Sequence, residues 1–126
     1  MPLLAILRHE ERVRLNQDSL ATLCAEMGEV GAERMIARAM EDLGARLTEL
    51  QRLADEGQPL SVARNARRMA KLAEQVGLST LASVACDVGQ AAEAGDDAAQ
   101  AATLARLVRI GEHSLIAVWH LRAMTL

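Results

Sequence analysis

Three histidines, two cysteines and a short run of cations are the side chains here that could do chemistry, and their spacing limits what it can be. His113 and His120 are seven residues apart, two helical turns or about 10 Å along an axis, too far to hold one metal ion together. His9 lies in Arg8-His9-Glu10-Glu11-Arg12, a charged stretch that reads as a solvated helix start. Cys24 and Cys86 fit no metal-ligand spacing and read as reduced, buried thiols. Asp55 and Glu56 adjoin a turn, and Asp96 and Asp97 read as helix caps. Carboxylate-bridged metal sites in helical bundles use Glu-x-x-His, whereas His113 here follows Glu112 directly. There is no phosphate-cradling glycine loop and no nucleophile with a base at hand. The expectation is a protein that is not an enzyme, with no catalytic residues, no bound metal and no cofactor.

The cations are more informative. On one helix, Arg64, Arg67, Arg68 and Lys71 fall within roughly a quarter to a third of a turn at about 100° per residue. This patch sits on a chain of net charge −3 and pI near 5.6. That balance argues against a general affinity for nucleic acid or anionic membrane. One Trp, no Phe and no Tyr also remove the platforms on which single strands stack. Two uses of the patch remain: a solvated face paired with neighbouring acids, or a docking surface for an acidic protein. The apolar run Leu3–Leu7 follows no basic flank and is too short for a signal core or a membrane span, so a cytoplasmic location is expected.

The elements that must carry these residues are helices. With 51% hydrophobic residues and almost no aromatic ring, a core must be built from Leu, Val, Ile, Met and Ala. A first helix is expected from near Asn16 or Asp18 to Gly28, with Leu20 and Leu23 inward. A second places Ile36, Met40, Leu43, Leu47, Leu50 and Ala54 on one face and runs to about Glu56. Gly57-Gln58-Pro59 stops it and starts a third, Leu60 to Val76, which buries Val62, Ala66, Met69, Ala73 and Val76. After Gly77 a fourth runs from Ser79 to Ala94 over Leu81, Val84, Ala85 and Val88. Ala94-Gly95-Asp96 is a turn, and Asp97 with Gln100 resembles a capping box for the last helix. That helix carries Leu104, Leu107 and Val108, then Leu115, Ile116, Val118, Trp119 and Leu121 crowded together. Short connections between such helices predict an all-α, up-down antiparallel four-helix bundle with an additional N-terminal helix.

Ala66-Arg67-Arg68-Met69, followed by Val76-Gly77-Leu78, resembles the central motif of histidine phosphotransfer (HPt) domains. In that family the helix reads Ala-His-x-Leu-Lys-Gly, with a further Gly ten residues after the His, and Gly77 lies ten residues after Arg67. Leu15–Leu20 and Met27-Gly28-Glu29 resemble the family's opening helix and turn. Leu81-Ala82 and Ala94-Gly95-Asp96 resemble its fourth helix and the turn that follows. The resemblance spans about residues 15 to 110 and implies an HPt-like bundle. The chain departs at the centre: Arg67 stands for the phosphoaccepting His, and Ala70 and Lys71 stand for the Lys and Gly. A guanidinium stays charged and accepts no phosphoryl group. The resemblance therefore implies a pseudo-HPt that has lost phosphotransfer and keeps recognition of a response-regulator receiver domain or a histidine kinase. Arg64, Arg67, Arg68 and Lys71 would meet the partner's carboxylates.

Residues 15–126 are thus expected to form the bundle, with 1–14 packing on it or on a partner. Two alternatives stay open. One is a homodimer built on the apolar surface of Leu115, Ile116, Val118 and Trp119, since such patches mark interfaces and Trp is favoured at their centres. The other is phosphate acceptance by a histidine in an unfamiliar position.

Overall fold

Three turns of one design set the architecture. The computed structural model describes residues 17–125, with side chains from 21 to 114. They form α1 (Gln17–Asp55), α2 (Pro59–Gln75), α3 (Ser79–Glu93) and α4 (Asp97–Thr125). At each connection a glycine takes a left-handed backbone, with φ of 68° at Gly57, 78° at Gly77 and 68° at Gly95. The glycine N–H reaches back three residues, from Gly57 to Ala54, Gly77 to Glu74 and Gly95 to Ala92. The next N–H reaches back five, from Gln58 to Leu53, Leu78 to Ala73 and Asp96 to Ala91. This pairing satisfies carbonyls that a helix end would leave bare, and it needs the positive φ that glycine adopts without strain. Pro59 then opens α2 where its missing N–H costs nothing.

Each connection is three residues long, so consecutive helices that pack together must reverse direction. α1 packs on α2, α2 on α3 and α3 on α4, and α4 closes the ring against α1. The result is an all-helical bundle. Its core holds Leu43, Leu47, Leu50, Val62, Ala66, Met69, Ala73, Leu81, Val84, Ala85, Val88 and Leu107, the stripes that the apolar spacing predicts. Small residues bring the helices close. Gly111 of α4 leaves room for Leu47 of α1, and buried Ser114 returns its hydroxyl to the Ile110 carbonyl at 2.7 Å.

The structure keeps the expected helix break at Gly28 and departs from expectation at the cap of α4 and at the two cysteines. As the sequence predicts, the helical run Gln17–Asp55 is broken at Gly28, whose φ of 73° and ψ of 166° are not helical, so two helices meet there. Leu23 is only half-buried, and Met27 and Val30 are 48% and 64% exposed, so this stretch has little core to face. The capping residue of α4 is Asp96 and not Asp97: Asp96 Oδ1 accepts the Ala99 N–H at 3.0 Å, and its carbonyl accepts that of Gln100. Cys24 and Cys86 are both exposed rather than buried. Cys86 shares an outer stripe of α3 with Gln90 and Glu93, spaced four and three, while Leu81, Val84, Ala85 and Val88 take the inner side.

Among the described residues no helix is long and apolar enough to cross a membrane. Segment 1–14, with His9, lies outside the described residues, and so do the side chains of Leu115, Ile116, Val118, Trp119 and His120.

Candidate functional site

The six inward residues of α2 are Val62, Ala63, Ala66, Met69, Ala70 and Ala73. With that face committed to the core, helical geometry turns Arg64, Arg67, Arg68 and Lys71 outward, and all four are exposed. Ala70 is buried and Lys71 exposed, so these two neighbours are split between core and surface.

One exposed residue extends this face beyond what the charge pattern revealed. Leu60, four residues before Arg64, falls on the same arc and is 74% exposed. α2 thus presents an apolar side chain at its foot and cations above it. Long cationic stems also cover apolar surface while keeping their heads in water, so the whole stripe is amphipathic.

The four cations are not equivalent. Arg67 lies at the edge of the arc toward α3. Its Nε donates to Glu93 Oε1 at 2.8 Å and its Nη2 donates to Glu93 Oε2 at 2.6 Å. This two-pronged pair is the planar fit of guanidinium to carboxylate. Helix direction explains how it forms across 26 residues of sequence. Side chains lean toward the N-terminus of their own helix, and α2 and α3 are antiparallel, so Arg67 and Glu93 lean toward each other. Gly89 is buried where the two helices meet, and a Cβ there would stand 3.6 Å from Arg67 Cγ and 3.7 Å from the Ala63 carbonyl oxygen, ordinary contact distances.

The pair is open to solvent, with side chains 55% and 47% exposed. Hydrogen bonds from Arg67 are the main cause holding the Glu93 carboxyl below its ordinary value of 4.5; desolvation opposes them and the Arg67 charge adds to them. Arg67 is pushed up in turn, first by the Glu93 hydrogen bonds and then by its charge. Arg64, Arg68 and Lys71 have no ion-pair partner among the described residues. The other ion pairs among the described residues lie within α1 and its end, Arg46 with Asp42 and Arg52 with Glu49 and Glu56.

The four cations singled out from the sequence therefore come together on one face, while Leu60, Glu93 and Gly89 were missed. Leu60 was detectable from its register with Arg64. Glu93 carried no local signal, because its partner is on another helix. His113 is exposed on α4, and among the described residues no three His, Cys, Asp or Glu side chains gather as metal ligands. Comparison with protein-family models, with curated proteins and with solved structures finds no match to this chain.

Proposed function

We propose that the protein is a non-phosphorylatable, HPt-like binding module of two-component or phosphorelay signalling. It docks an acidic receiver or kinase surface through the outer face of α2. The observation that carries this is the exposed stripe of Leu60, Arg64, Arg67, Arg68 and Lys71, three of whose cations lack an ion-pair partner among the described residues. Unneutralised cations on a chain of net charge −3 form a local field that steers an acidic partner and fixes its register. Leu60 supplies an apolar contact at the end of the stripe. Arg67 at the position of the phosphoaccepting His turns a transfer site into a site that only pairs with carboxylates.

Purified receiver domains and histidine kinases from the same genome test the reading. Binding to at least one should weaken with salt, and Arg64→Glu with Arg68→Glu should reduce it on the order of tenfold, the lower end of electrostatic steering. No labelled phosphate should pass to the chain. Unchanged affinity for every receiver and kinase after Arg67→Glu, or stable label on this protein, would sink the proposal.

A second reading, self-association, is favoured by exposed Met27 and Val30 on α1. Mass in solution at increasing concentration decides it.

A further inference from the structure

Glu93 is the last residue of α3. A carboxylate there faces the negative end of the helix dipole, so helix stability does not account for its position. Its two hydrogen bonds to Arg67 do. Those bonds occupy the Nε–Nη2 edge of the guanidinium, one of the two donor forks that a partner's carboxylate could use.

We infer that Glu93 is an internal competitor at the docking face. It occupies the Nε–Nη2 edge of the Arg67 guanidinium in the free protein, and an acidic partner binds by exchanging its own carboxylate for that of Glu93 at this edge. The inference rests on the docking reading above and adds how that face selects its partner.

Three features support exchange. Both side chains are about half exposed, and ion pairs of that kind are weak enough to open readily. The stem of Arg67 rises at the seam beside buried Gly89 of α3, which has no side chain to hinder the head as it changes partner. Arg64, Arg68 and Lys71, without an ion-pair partner among the described residues, stand beside it to hold an incoming acidic surface while the exchange occurs.

Exchange has a consequence for specificity. A partner with one carboxylate trades one pair for another and gains little at Arg67. A partner with a cluster of carboxylates replaces Glu93 and also reaches the unpaired cations. Glu93 therefore raises the threshold against singly acidic surfaces and favours a carboxylate cluster.

The test is a double-mutant cycle read by fluorescence anisotropy, using the full chain and purified receiver domains and kinases from the same genome. Glu93→Gln should tighten binding about two- to five-fold, the range of exposed ion pairs. In the Arg67→Ala background the same substitution should do nothing. Glu74→Gln neutralises an exposed acid on α2 that is not paired with Arg67, and it should change affinity less. Circular dichroism confirms that each variant remains helical.

If Arg64→Glu with Arg68→Glu weakens binding while Glu93→Gln leaves it unchanged or weaker, docking stands and exchange is overturned. Equal gains from Glu93→Gln with and without Arg67 also overturn exchange, because the effect is then net charge alone. If the double reversal has no effect, or nothing in the panel binds, the docking reading falls and exchange falls with it.

Discussion

Gly44, Gly89 and Gly111 all sit inside helices without positive φ, so alanine at each should report packing separately from backbone strain. At Gly44 a Cβ meets nothing within 4 Å, and alanine should add its full helix preference, about 0.8–1.0 kcal/mol. At Gly89 the nearest atom is 3.6 Å away, an ordinary contact, and the same gain should appear. At Gly111 the added Cβ lies 2.8 Å from Leu47 Cδ2, in a core where Leu47 is only 7% exposed. Leu47 must then turn among packed neighbours. Overpacking of this kind costs about 1–3 kcal/mol, which cancels the propensity gain or exceeds it. Urea titration and thermal melts should show Gly44→Ala and Gly89→Ala raised by about 3–5 °C, with Gly111→Ala unchanged or lowered. Stabilisation of Gly111→Ala equal to that of Gly44→Ala would refute the close approach of α4 to α1. Destabilisation of Gly89→Ala would refute the α2–α3 spacing that lets Arg67 reach Glu93.

Two further outcomes follow from the caps and the charges. Asp96→Ala should cost about 0.5–2 kcal/mol in urea unfolding, and Asp97→Ala clearly less, because only Asp96 Oδ1 accepts the Ala99 N–H. Equal losses would move the cap. The lowered Glu93 carboxyl contributes stability that is present above its ordinary value of 4.5 and is lost as pH falls through the lowered one. NMR titration should find this carboxyl below 4.5 in the native chain and returned toward 4.5 in Arg67→Ala; no movement would mean that the pair does not persist in solution.

Much of the fold was legible because its signals are local. Gly57, Gly77 and Gly95 mark the three turns that the chain uses, and Pro59 marks the start of α2. The apolar spacing of Leu43, Leu47 and Leu50 and of Val62, Ala66, Met69 and Ala73 named the core that formed. Where the local signal was ambiguous, the expectation slipped. Asp96 and Asp97 are both good caps by type, and the turn after Gly95 decides between them by aiming Asp96 at the Ala99 N–H. Cys86 is a residue type that favours burial, yet the inner side of α3 was already taken by Leu81, Val84, Ala85 and Val88.

The sequence by itself determined the helices, their ends, their apolar faces and the cationic arc of α2, because each depends on residues within a few turns of one another. Only the tertiary structure decided which cation is already paired. Arg67 and Glu93 are 26 residues apart, and they meet because α3 packs against α2 and the antiparallel helices tilt both side chains toward the same point. Periodicity places a charge on a face, whereas the neighbouring helix determines which charges on that face remain unpaired.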